Sequence, residues 1–306
     1  MRRVKWFSFA RFGAAGAFAA MLGAQAALGA TLFSDPAESL SNFLVVKDSA
    51  SADSSAGIVD YSTLGIPEAP HRLAGSAATT GIQLIANKGD ATATTTGLNL
   101  LLGSSPITFT GTHTLQFDIW MNAPAGATST TEGILGGTAR TTSTDAITRN
   151  FRTARGNGAW FYATGDNGNA TDDFAQLNNG SRDVVFADTT DAASTAKYNT
   201  AFTNTNTAGG AKDADNEWVQ VSVVQNGNGT ASVYMNGILF STDASTNTSG
   251  FAWLGYEDQF NSIGSATLYG IVDNVTVIDQ AVPEPAGLAL AGLGAAAVFG
   301  RRRNRR

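Results

Sequence analysis

The sequence predicts an all-β fold: an antiparallel β-sandwich over residues 31–280, flanked by two short apolar segments. Three observations predict it. Between residues 31 and 280, no stretch of ten or more residues repeats apolar positions at i, i+3, i+4 and i+7. Short runs rich in β-branched and aromatic residues alternate apolar with polar positions instead. Gly, Asn, Asp and Thr punctuate those runs, and Gly alone accounts for 34 of 306 residues.

Taken in chain order, Phe43–Lys47, Ile82–Asn87 and Ile107–Phe109 read as strands. Thr114–Met121 places Leu115, Phe117 and Ile119 on one face and Gln116 and Asp118 on the other. Ala159–Ala163 carries Trp160, Phe161 and Tyr162. Glu217–Ser241 reads as a three-strand meander. Val219, Val221 and Val223 face one way, Asn226-Gly227-Asn228-Gly229 makes a turn rich in residues that tolerate φ > 0, and Asn236-Gly237 makes a second tight turn. Thr267–Asp279 is the last long strand. Thr138–Asn150 and Asp188–Asp215 are poor in apolar residues and read as long loops across the sandwich.

Trp218-Val219-Gln220-Val221, Val233-Tyr234-Met235-Asn236-Gly237 and Ile271-Val272-Asp273-Asn274-Val275 are similar in order to the closing strands of laminin-G-like, concanavalin A-like jelly rolls. The resemblance implies a jelly roll with its two ends close together. A different β-sandwich or a β-helix is the other all-β reading, and no repeat of 20–50 residues favours a solenoid.

The N-terminus is an address. Met1–Arg11 is basic, Phe12–Leu22 is apolar, and small residues follow at Ala24-Gln25-Ala26 and Leu28-Gly29-Ala30. This is the order of a helical secretory signal peptide over residues 1–30, with cleavage after Ala26 or Ala30. At the other end, Pro283-Glu284-Pro285 precedes the small or apolar run Ala286–Gly300. The basic cluster Arg301, Arg302, Arg303, Arg305 and Arg306 closes the chain. As a helix that run spans about 22 Å, short for a bilayer core of about 30 Å, and snorkelling Arg side chains close the gap and stay in the cytoplasm.

Residues 281–306 resemble the PEP-CTERM sorting signal of Gram-negative bacteria. The resemblance implies handling by an exosortase, which reads Pro283, Glu284 and Pro285 as substrate residues. It also implies a precursor held transiently in the inner membrane and delivery to the cell surface or extracellular matrix. An ordinary C-terminal anchor is the plainer alternative.

Charge and composition exclude several functions. Residues 31–283 hold ten Lys and Arg against 24 Asp and Glu, a surface that repels nucleic acid. There is no Cys, hence no disulfide, thiolate metal site or Cys nucleophile. Neither G-x-S-x-G nor a P-loop or dinucleotide fingerprint occurs. Glycosidases need two carboxylates across the scissile bond. Glucanases of the resembling fold set theirs on one strand as E-x-D-x-x-E or E-x-D-x-E, and neither pattern occurs here. Asp118, Asp215, Glu217, Glu257 and Asp258 read as solvated carboxylates, and His113 as a surface-turn histidine.

Two binding chemistries remain. The run Asp166-Asn167-Gly168-Asn169-Ala170-Thr171-Asp172-Asp173 gathers oxygen donors around a Gly, and Asp166, Asn169 and Asp172 are candidate calcium ligands. Asp- and Asn-rich turns also form without metal, and no other cofactor is expected. Trp160 and Tyr162, and Trp253 and Tyr256 beside Glu257-Asp258, are candidate stacking faces for a glycan; core aromatics are the alternative. The expected function is that of an exported, surface-sorted, non-enzymatic protein of the extracellular matrix or envelope, structural or adhesive. A carbohydrate-binding module is the alternative, and a glycoside-active enzyme the third reading.

Overall fold

A computed structural model describes residues 29–48, 53–89, 96–122, 132–150, 153–154, 156–164, 174–179, 181–186, 192–204, 212, 214–258 and 267–279. The expected signal peptide up to residue 28, the calcium-candidate run and the sorting tail lie outside them. Eighteen strands follow in chain order: β1 (Thr31–Asp35), β2 (Phe43–Lys47), β3 (Ser55–Asp60), β4 (Thr80–Ile85), β5 (Thr96–Leu102), β6 (Thr108–Thr110), β7 (His113–Asn122), β8 (Glu132–Arg140) and β9 (Arg149–Asn150). The second half comprises β10 (Thr153–Ala154), β11 (Ala159–Thr164), β12 (Phe174–Asn178), β13 (Ser181–Phe186), β14 (Trp218–Gln225), β15 (Thr230–Met235), β16 (Ile238–Ala244), β17 (Ser249–Asp258) and β18 (Tyr269–Ile278).

Strands β9 and β10 pair with each other as a separate two-stranded ribbon, and the other sixteen form two eight-stranded sheets. One runs β16-β15-β14-β7-β18-β4-β3, with β1 also on β18; the other runs β13-β12-β11-β8-β17-β5-β2, with β6 also on β17. Every strand pair is antiparallel. The fold is therefore the expected all-β sandwich. The main core lies between the sheets: Leu115, Phe117, Ile119, Val219, Val221 and Val223 face Leu98, Leu100, Ile134, Phe161 and Leu254. The meander forms as the sequence predicts, with Asn236 and Gly237 both at positive φ (47° and 76°) in its second turn. The first strand pairs with the last from Thr31↔Ile278 to Asp35↔Val275, so both ends of the body leave the same rim.

The structure differs from expectation in two segments. Helix α1 (Ala192–Ala201) forms where a loop was predicted. Its sequence AASTAKYNTA has almost no apolar stripe, and it is held by Tyr198 and Phe202 against Phe240 of β16. The segment from Thr138 is not all loop either: it completes β8, and Ala146 and Ile147 are buried. Among the described residues no helix is long and apolar enough to cross a membrane.

Candidate functional site

Both sheets are also covered on part of their outer faces. On the β8–β17–β5 sheet, a strap over residues 141–148 places Ala146 and Ile147 against Trp160, Tyr162, Trp253, Leu101 and Leu135. Its anchor is Asn99, a polar residue inside Leu98–Leu102. The Asn99 side chain accepts from Ile147 N (2.5 Å) and donates to Ile147 O (3.0 Å), mimicking a strand partner. It also accepts from Arg140 Nη1 at 2.9 Å. Arg140 is fully buried, donates to the carbonyls of Thr142 and Asp145, and lies 5.7 Å from the Trp253 ring centre. The strap is thus wound round one guanidinium, and Asn157 closes it by accepting from Thr141 N at 2.6 Å.

Between the strap and the end of β2 lies a cavity of about 760 Å³, lined by Lys47, Asp48, Thr142, Thr144, Asp145 and Asn157, with Ala146, Ile147 and Gly156. Carboxylates, an amide, hydroxyls and an ammonium gather at one opening, donors and acceptors able to hydrogen-bond a polar ligand. Sequence reasoning missed this site. The one available signal was Asn99, an amide in an otherwise apolar run.

The aromatic candidates are not there to stack. Trp160, Tyr162, Trp253 and Tyr256 are all fully buried, so none offers a ring face to a glycan. Trp160 and Trp253 pack on each other at 6.1 Å beneath the strap, and Tyr256 lies in the main core with its hydroxyl donating to Glu132. A row of rings at a half-covered sheet becomes core once a strap covers it. The calcium candidates Asp166, Asn169 and Asp172 lie outside the described residues, as do Pro283, Glu284, Pro285, Arg301, Arg302, Arg303, Arg305 and Arg306.

The carboxylates are not solvated either. Asp118, Asp215, Glu257 and Asp258 are buried, and half-buried Glu217 accepts from the backbone N–H groups of Thr203 and Asn204 after α1. Burial holds Glu132, opposite Asp258 in the β8–β17 register, well above the usual carboxylate range. His113 is buried, with Nε2 2.5 Å from Thr138 Oγ1 and Nδ1 2.9 Å from Gly111 O, and burial lowers its pKa. It is not a surface-turn residue.

A second polar cluster sits on the outer face of the β7–β18 sheet. A bulge between Asp273 and Thr276, with Asn274 at φ 54°, turns Asp273 and Asn274 onto the face of Asp118. Asp118 Oδ1 lies 2.8 Å from His71 Nδ1, and Asn274 Nδ2 donates to Asp118 Oδ2 at 3.0 Å. That hydrogen bond to Asp118 raises the His71 pKa. A cavity of about 210 Å³ opens beside the pair, between His71, Gln116, Gln220 and Thr276. Among the described residues, no group of three or more His, Asp or Glu side chains is placed to hold a metal ion.

Residues 281–306 match the PEP-CTERM protein-sorting motif, so the chain is an exported protein sorted to the cell envelope. Comparison with curated proteins finds no match. Among solved structures, the endo-β-1,4-glucuronan lyase of the fungus Trichoderma reesei is 11% identical, covers 82% of this chain and 100% of its own, and superposes with a TM-score of 0.45. The potassium-bound carbohydrate recognition domain of Emp46p gives 11%, 82%, 100% and 0.43. The carbohydrate binding module CBM66 from Bacillus subtilis gives 12%, 65%, 86% and 0.35.

Proposed function

We propose that the chain is a non-enzymatic protein of the extracellular matrix or envelope of a Gram-negative bacterium, structural or adhesive in role. The sorting motif at 281–306, directly behind an all-β body, is the observation that carries this reading. An exosortase takes the tail from a precursor held in the inner membrane, and the body is then delivered to the surface. Deleting residues 281–306 would leave the product off the cell surface; unchanged surface display would overturn the sorting step.

A second reading, a lectin-like module for extracellular polysaccharide, is favoured by the polar cavity at Lys47, Asp48, Asp145 and Asn157. Its contacts are hydrogen bonds to hydroxyls, without a stacking platform, so affinity is weak and avidity does the holding. A glycan array with the body, with and without Ca²⁺, tests it. Binding lost at least fivefold in Asp145→Ala at unchanged melting temperature supports the cavity; no binding on either plate ends the lectin reading. Calcium held by Asp166, Asn169 and Asp172, which lie between β11 and β12 in sequence, would appear as Ca²⁺-dependent stabilisation lost in Asp166→Asn/Asp172→Asn. Release of reducing ends from a polysaccharide panel would instead establish an enzyme.

A further inference from the structure

Five large apolar side chains are exposed on the described surface, and two of them, Leu32 (43%) and Ile107 (37%), line one notch. The notch has a volume of about 350 Å³, and its other walls are Thr108, Phe109, Thr110 and Asp279. It lies where the two sheets meet at the rim that both chain ends leave. Leu32 belongs to β1 and sits at the register shift between Thr31 and Phe33. A bulge of this kind leaves one residue out of the ladder and re-aims its side chain. Ile107 comes from the other sheet's side. Its N–H donates to Leu102 O at 2.9 Å, and it packs on Gly103, whose φ of 92° makes the tight turn.

The last described residue, Asp279, is itself a wall of this notch. Its N–H donates to Ala30 O at 2.9 Å, which keeps the end of β18 paired as the chain leaves. The next residues are Gln280, Ala281, Val282 and Pro283. Three extended residues reach about 10 Å, enough to cross the notch. Ala281 and Val282 are the apolar residues of that segment, and Pro283 favours extended backbone in the residue before it.

We propose that the notch between Leu32 and Ile107 is the seat of the chain's own segment Gln280–Val282, with the Val282 side chain between the two. Docked in this way, the segment fixes the sorting motif at the rim of the folded body, and the sorting enzyme meets Pro283–Pro285 against a rigid support.

The chain has no Cys, so a pair of introduced thiols reports on this contact alone. The full chain carrying Ile107→Cys and Val282→Cys is exported into an oxidising compartment and its free thiols are counted by mass. Leu32→Cys with Val282→Cys is the second geometry, and Ile58→Cys with Val282→Cys, on the exposed far strand β3, is the control. The expected result is an intramolecular disulfide in most molecules of the first or second pair and in few of the control. Free thiols in both test pairs, disulfide-linked dimers, or equal yield in the control overturns the proposal. Ile107 and Leu32 are exposed, and matched melting curves confirm that the variants fold.

Discussion

The Tyr61 hydroxyl lies 2.7 Å from Asp273 Oδ2 and 3.0 Å from Ala78 O, and it accepts from Ala69 N at 3.3 Å. A phenol has one proton. Here it donates to Asp273 Oδ2 and shares that proton with Ala78 O. Burial first, and then its neighbour Asp118, push the Asp273 carboxyl up to about 7, against the hydrogen bonds from Tyr61 and Asn274, which lower it. The segment Tyr61–Ala78 is therefore latched to the β7–β18 bulge by the Tyr61–Asp273 hydrogen bond at one point and by the His71–Asp118 pair at another.

This latch makes stability depend on pH. The folded state holds the Asp273 proton more tightly than the unfolded chain, whose Asp titrates near 3.8. Stability is thus fully present below about 4 and is lost as pH rises through about 7. The change is at most about 4 kcal/mol, from about 1.4 kcal/mol for each unit of pKa. His71, also raised, acts in the same direction, and its contribution is lost as pH rises through its folded value. Urea midpoints from pH 4 to pH 8 should fall, and Asp273→Asn should flatten the dependence. A midpoint that rises over this range would exclude a neutral Asp273.

Asn99 is the second lever. In Asn99→Ala, Ile147 loses both backbone partners and the buried Arg140 loses its Nη1 acceptor. Unpaired buried polar groups cost about 1–3 kcal/mol each, and more when charged. The loss should reach at least about 3 kcal/mol by chemical denaturation. Asn99→Ala should also abolish whatever the cavity binds, because the strap that forms its wall is released.

How much of this was legible follows from which faces are covered. The β14–β15–β16 meander shows in sequence because its Val residues alternate with polar ones and Asn-Gly marks a turn. Strands β5 and β8 were missed for the opposite reason, while β11, buried in the same way, showed through its run of three aromatic residues. Every residue in them is buried, since core lies on one side and the strap on the other. Two-sided burial removes the alternation that identifies a strand. Covering also decided between the two readings of Trp160 and Trp253 in favour of core, because sequence shows which residues share a strand face and not what later folds over it. Asp118 and Asp273 are 155 positions apart and meet only through strand register and a bulge, for which no local motif exists.

Trp160 supplies a stability test that separates core from platform. It is fully buried beside Trp253 and Leu135, so Trp160→Ala should cost about 3–5 kcal/mol, the range for a large core ring. A solvent-facing stacking residue would cost almost nothing. An unchanged urea midpoint would restore the ring to the surface.

Gly137 tests the packing of that same layer from beneath. A Cβ there would stand 2.5 Å from Trp160 Cβ, 2.7 Å from Ala159 O and 2.9 Å from Trp253 Nε1. The first two neighbours belong to a paired strand and cannot swing away, so Gly137→Ala should overpack the layer and cost about 1–3 kcal/mol. Gly57 in the edge strand β3 is the matched control, with nothing within 4 Å of the added carbon. Gly57→Ala should be neutral or slightly stabilising, since Ala restricts the unfolded chain more than Gly does. Thermal melts of the two variants side by side decide the matter. Equal melting temperatures would mean that the rings of Trp160 and Trp253 do not lie over Gly137, and the strap-covered layer would have to be redrawn.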